Sequence, residues 1–298
     1  VLAYADGPAA DLAFRRGWTH GIPALIVLPL LLTGAMVLLD RGGRRLRHAG
    51  LPSGVVPREI LRLSAIAILT HPILDTLNVY GMRWLMPFNG RWFYGDTLFI
   101  LDPWLWLVLA AGVVLGRPRR THRGYLEHGT RPARAALAVA TAYMVGMLLL
   151  GLAARGIARR ELQASGVPVE RLMVAPQLVT PLVRQVVAAQ GDVYRVVTFR
   201  WLGRPHLDPA SWRSVPRPRA DDPALAAARA TPLGRRFLGW ARFPAVQVEA
   251  APGGGSLIHL IDLRYADRPG AGFGTVTLAV AAPPAALVGS AAPRVSPR

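Results

Sequence analysis

The sequence predicts a polytopic α-helical membrane protein with four visible spans and a C-terminal extracytoplasmic α+β domain. Three observations carry this. Four apolar runs are separated by arginine-rich or aromatic loops. The composition changes after Arg155 to short β-branched runs. Hydrophobic residues make up 52% of the 298 and charged residues 17%, and the mean hydropathy of +0.31 is high for a chain that folds in water. The net charge of +18 raises the question of nucleic acid. All 35 basic residues are arginine, and many fall in short loops between apolar runs, so topology accounts for them and no nucleic-acid role is expected. The chain has no cysteine, which excludes disulfides and thiolate sites. Histidine, Asp, Glu and Asn are left as metal ligands.

Residues Val1 to Thr19 read as a loop with Asp6, Asp11, Arg15 and Arg16. The start at Val1, within a polar loop, suggests a further N-terminal piece. The first span is Ile22 to Leu39, 18 residues without charge. Pro23 suits a first helical turn and Pro29 should kink the helix. A basic loop from Arg41 to Arg58 leads to the second span, from about Glu59 to Tyr80, which Pro72 should bend. Met82 to Thr97 is an aromatic loop with Trp84, Phe88, Trp92, Phe93 and Tyr94, a composition of the membrane–water interface or of a lipid grip. The third span is Leu98 to Leu115, then comes a second basic loop, Gly116 to Arg134, and a fourth span, Ala135 to Ala153. Both basic loops should be cytoplasmic, which puts the aromatic loop and everything after Ala153 on the outer side.

This gives a transmembrane domain over 1–155, an extracytoplasmic domain over 156–280 and a disordered tail over 281–298. Arg155 to Gln163 should be a helical exit from the membrane. Leu182 to Val187 and Val193 to Phe199 form a hairpin at Gly191-Asp192. Pro205 to Pro223 reads as a Pro-rich loop and Leu225 to Trp240 as one helix. Ala245 to Ala250, Ser256 to Tyr265 and Gly274 to Val280 read as strands.

Chemistry concentrates in the second span. His71 and Asp75 are four apart and share a helical face, and Asn78 should follow one turn later. Ionisable groups at membrane depth are costly and mark a site. His20, Asp96 and Asp102 lie at the outer ends of two other spans. His20, His71, Asp75, Asp96 and Asp102 are the right types for a divalent metal that activates water. Asn78 and Thr19 would steady the ligands from outside. Structural alternatives stand beside these. His20 can be an interfacial histidine beside Trp18. Asp102 before Pro103 can be a helix cap, and Asp96 another. Asp75 can pair with Arg62, Arg83 or Arg15. His48, His122 and His128 read as solvated, and His206 and His259 as structural.

Three stretches resemble a known family: Arg16-Gly17-Trp18-Thr19-His20, His71-Pro72-Ile73-Leu74-Asp75-Thr76-Leu77-Asn78 with Gly81, and Asp96-Thr97-Leu98-Phe99-Ile100-Leu101-Asp102-Pro103. They are similar to the YdjM/YbcI (DUF457) family of bacterial inner-membrane, metal-dependent hydrolases, over Phe14 to about Leu115. Gly191 to Arg195 and Asp262 to Tyr265 also look like the extension of longer members. Many members have histidine where this chain has Arg15, and members usually begin with a further apolar segment. The resemblance carries over to His20, His71, Asp75, Asn78, Asp96 and Asp102. It implies a multi-pass protein of the bacterial cytoplasmic membrane, in contact with the lipid bilayer, that hydrolyses a phosphoester or related bond of a lipid-linked or envelope substrate at the outer face. Zinc or manganese would sit on His20, His71 and Asp75, with Asp96 or Asp102 completing the shell or acting as general base. The alternatives are a non-catalytic membrane scaffold and a transporter with Asp75 in an ion path.

Overall fold

The structure, a computed structural model, describes residues 16–46, 55–117, 119–120, 126–127, 130–251, 254–270 and 273–281. His48, His122, His128 and the tail beyond residue 281 lie outside the described residues, as does the N-terminal loop up to residue 15. The chain divides into two compact units, Val1–Gly95 and Asp96–Arg298.

In the first unit, α1 (Ile22–Leu46) packs against α2 (Pro57–Thr76). The loop expected to begin at Arg41 begins later, because α1 continues through the arginines to Leu46. Arginine is a good helix former, and no proline lies between Arg41 and Leu46 to remove a backbone donor. Val56 is extended and Pro57 sits in the first turn of α2, with Glu59 near the positive end of the helix. The expected second span ran to Tyr80, but α2 stops at Thr76. Asn78 Oδ1 accepts the Tyr80 N–H at 2.9 Å, a side-chain turn that competes with the helix. Gly81 then takes φ +90°. The aromatic loop is folded back: Met82 and Phe93 exchange backbone hydrogen bonds of 2.9 and 2.8 Å. Trp84 Nε1 donates to Thr76 Oγ1 at 2.7 Å.

In the second unit, α3 spans Pro103–Leu115, not the expected Leu98 to Leu115. Asp102 stays extended and its Oδ1 accepts from Trp104 N and Leu105 N, both at 3.1 Å. This cap fixes the start and leaves 13 residues, a rod of about 20 Å against a hydrocarbon layer of about 30 Å. A short hairpin, β1 (Arg119–Arg120) with β2 (Leu126–Glu127), leads to α4 (Thr130–Gln163), a helix of 34 residues that packs on α3. A Cβ on the buried Gly112 would lie 2.4 Å from Ala136 Cβ, so glycine sets this approach. The expected helical exit, Arg155 to Gln163, is part of α4 without a break.

The last turns of α4 enter the core of a five-stranded antiparallel sheet. Its strands are β3 (Arg171–Pro176), β4 (Val183–Gln190), β5 (Val193–Arg200), β6 (His206–Leu207) and β7 (Arg213–Pro216). The path runs β3-β4-β5-β6, and β7 also pairs with β5. Ala154, Ala158 and Leu162 pack there with Val186, Val197 and Phe199. The hairpin at Gly191-Asp192 is present, with Gln190 opposite Val193. The expected Pro-rich loop contains β6 and β7, because its residues complete the edge of β5. The single helix expected over Leu225 to Trp240 is two, α5 (Pro223–Ala230) and α6 (Pro232–Trp240). Pro232 has no N–H to donate, and Thr231 leaves the helix to cap α6, its Oγ1 accepting from Gly234 N at 2.9 Å. A second antiparallel sheet has the order β10-β9-β8, from β8 (Pro244–Ala250), β9 (Ser256–Asp262) and β10 (Thr275–Val280). At the end of β9, Asp262 and Arg264 both have fully buried side chains and are joined at 2.7 Å.

Arg184 on β4 is fully buried, and no carboxylate pairs with it among the described residues. Its Nη2 donates to Met147 O at 3.0 Å. Its Nε and Nη1 have no hydrogen-bond partner among the described residues. Nη1 lies 3.2 Å from where a Cβ of Gly151 would be, so that glycine admits it to the helix surface. Burial lowers its pKa to about 10, which leaves it charged at neutral pH. Arg184→Met keeps the length and removes the uncompensated charge. It is expected to raise stability by about 1–3 kcal/mol. Thermal unfolding in detergent checks this, and a clear drop in melting temperature would contradict it.

Candidate metal centre

His71 and Asp75 lie one helical turn apart on α2, which brings His71 Nε2 to 3.7 Å from Asp75 Oδ2. His20 arrives from the turn before α1. That turn is closed by Gly21 N donating to Gly17 O at 2.6 Å, and Ile22 N donates to Met86 O at 3.2 Å. His20 Nε2 is also 3.7 Å from Asp75 Oδ2. The two imidazole rings are 5.1 Å apart between centroids. One ligand atom from each of the three residues falls within 4.8 Å of the others. His71 is 66% exposed, whereas His20 and Asp75 are 19% and 17% exposed, so the cluster has one open side.

Thr19 Oγ1 is 2.6 Å from His20 Nδ1. With a proton on Nδ1 donated to that hydroxyl, the Nε2 lone pair faces the cluster. Burial holds the His20 imidazole below its ordinary value. Asp75 opposes this, and His71 and Arg16 add to it. His20 is therefore in its neutral, ligating form at neutral pH. Asn78 is not on the helix with His71 and Asp75. It lies past the end of α2, where Oδ1 accepts from Arg16 Nη1 at 2.9 Å.

Asp96 and Asp102 belong to the second unit, and each has partners there. Arg242 Nη1 donates to both oxygens of Asp96 at 2.8 Å, and Arg155 Nη1 is 4.0 Å away. Asp102 caps α3 through Oδ1, and its Oδ2 accepts from the Tyr143 hydroxyl at 2.8 Å. The cap considered for Asp102 from the Asp-Pro sequence is present. Asp96 pairs with arginine and caps no helix. His259 bonds Thr277 Oγ1 at 2.9 Å, and His206 lies 2.6 Å from Arg204 O.

Two residues escaped the sequence reading. Arg16 Nη2 is 3.2 Å from Asp75 Oδ1, so an arginine other than Arg62, Arg83 and Arg15, the partners the sequence suggests, pairs with Asp75. Arg62 bonds Glu59 instead, and Arg83 lies over the Trp92 ring. Arg242, which holds Asp96, is 146 residues distant in sequence, and no local pattern signals it.

Among the described residues two helices, Ile22–Gly43 and Thr130–Gln163, are long and apolar enough to cross a membrane. Their apolar side chains point outward; Leu38 and Leu39 are 68% and 71% exposed. A surface of that kind is unfavourable in water and suits lipid. These helices, with a His–Asp cluster at the start of the first, define a membrane protein with a sheet-rich C-terminal domain. The family model of the YdjM inner membrane protein matches residues 4–158, more than half of the chain, and the chain belongs to that family. Neither the curated proteins nor the solved structures gave a match.

Proposed function

We propose that this protein is a membrane-bound, metal-dependent hydrolase acting on a phosphoester or related bond of a lipid or envelope substrate. The observation that carries the reading is the convergence of His20, His71 and Asp75, whose ligand atoms lie within 4.8 Å of one another. Two imidazoles and a carboxylate suit a divalent ion of the zinc or manganese type, and three protein ligands leave a position for substrate. Bound there, such an ion supplies Lewis acidity and acidifies a water toward neutral pH. His20 and His71 offer Nε2, and Asp75 offers Oδ2. The exposed flank at His71 admits the substrate. For Asp96 or Asp102 to serve as general base, each must exchange the arginine or cap contacts it makes here.

In this reading all four helices α1 to α4 are membrane segments. The arginine-rich connections face the cytoplasm and the sheet domain is extracytoplasmic. Metal content tests the proposal. Elemental mass spectrometry of purified protein is expected to find near-stoichiometric zinc or manganese, lost in folded His71→Ala. A well-folded wild type that takes up no metal after reconstitution would sink it.

The Arg16–Asp75 pair at 3.2 Å favours a second reading, a non-catalytic scaffold in which that carboxylate is structural. There the His71→Ala and Asp75→Ala variants lose stability or assembly, and no metal is bound in any of them.

A further inference from the structure

Asp75 divides its two oxygens. Oδ2 faces both imidazoles at 3.7 Å, and Oδ1 faces Arg16 Nη2 at 3.2 Å. We infer that Arg16 is a positioning residue, which holds Oδ1 so that Asp75 presents Oδ2 alone to a divalent metal between His20 and His71. This rests on the metal reading of the cluster.

Arg16 is itself fixed from several sides. Its Nη1 donates to Asn78 Oδ1 at 2.9 Å and to Gly81 O at 3.4 Å. Its guanidinium lies 4.4 Å from the centroid of the Tyr80 ring. Its carbonyl accepts from Arg83 N at 3.1 Å. Asn78 and Tyr80 are buried, and the Asn78 oxygen that takes Arg16 also takes the Tyr80 N–H, so the platform under the guanidinium is rigid. The Arg16 backbone has φ +52°, a left-handed conformation that a residue with a Cβ seldom adopts. Strain of that kind persists where the surroundings hold it, and it collects at functional sites.

A planar guanidinium can address Asp75 and Asn78 at once along separate N–H vectors, which the single ammonium of lysine cannot do in the same geometry. A carboxylate held by one oxygen is a one-oxygen ligand with a set direction, and partners of this kind tune the metal through the ligand they orient.

The experiment uses the full chain in detergent with cobalt(II) as the probe, read by optical absorption and by titration. Arg16→Gly removes the guanidinium and relieves the left-handed backbone. Arg16→Lys keeps the charge and loses the fork. Both are expected to weaken cobalt binding about 10- to 100-fold and to shift the visible absorption bands, because the Asp75 geometry changes. Asn78→Ala is expected to move both readouts in the same direction. Circular dichroism confirms that each variant is folded, and Arg16→Lys carries the test by the same criterion where glycine destabilises the turn. Wild-type affinity and an unchanged spectrum in a folded Arg16 variant overturn this role alone. No cobalt uptake by the wild type overturns the metal reading together with it.

Discussion

Asp75→Asn is expected to empty the His20–His71–Asp75 cluster of metal while leaving the fold in place. Asparagine keeps the shape and keeps an oxygen for Arg16, 3.2 Å away in the native protein, so the platform of Asn78, Gly81 and Tyr80 survives. It removes the only negative charge among the three donors. The loss in metal affinity should exceed the roughly 10- to 100-fold that an altered outer partner costs, because a ligand itself is changed. Elemental analysis of the purified variant beside its circular dichroism spectrum checks this. Wild-type metal content in folded Asp75→Asn would show that the carboxylate is not a ligand.

Asp262→Ala is expected to produce the largest loss of stability in the sheet domain. Asp262 Oδ2 accepts from Arg264 Nη2 at 2.7 Å, from Arg264 Nε at 2.9 Å and from Arg242 N at 2.9 Å, while Oδ1 accepts from Arg264 N at 3.1 Å. Arg264 is held further by Trp240 O at 3.1 Å and lies against the Trp240 and Tyr265 rings. Deleting the carboxylate leaves a guanidinium charged in a site that water does not reach. Breaking one side of a buried pair costs about 3–5 kcal/mol. Denaturant unfolding or limited proteolysis of the C-terminal domain reads the effect. The double variant with Arg264→Met should recover much of the loss, since replacing both charges by apolar groups is far milder than removing one. A single variant within about 1 kcal/mol of wild type would refute the argument.

Much of the site was legible in the sequence because its central pair is local. His71 and Asp75 are one turn apart on a helix, and that spacing alone brings them to one face. His20 is a candidate because it stands at the outer end of another span, next to the apolar run that becomes α1. The positions of caps and breaks were less legible. Asp102 and Pro103 set the start of α3, and Asn78 ends α2 by offering the backbone a competing bond. Both signals stand inside apolar runs, whose hydropathy extends past the true helix ends. Pro232 likewise split an apparently continuous helix. The partners of the carboxylates were the least legible. Asp96 meets Arg242 across 146 residues and Asp102 meets Tyr143 across 41, contacts that depend on tertiary packing and leave no periodic trace.

The continuity of α4 has a mechanical consequence. Its 34 residues form one rod of about 51 Å, about 20 Å more than the hydrocarbon layer is thick. The surplus carries Ala154, Ala158 and Leu162 into the core of the sheet. Helix and sheet therefore meet with no pliant connector between them. The sheet domain cannot swing as a tethered body would, and any change in the tilt of α4 turns it as a lever turns its load.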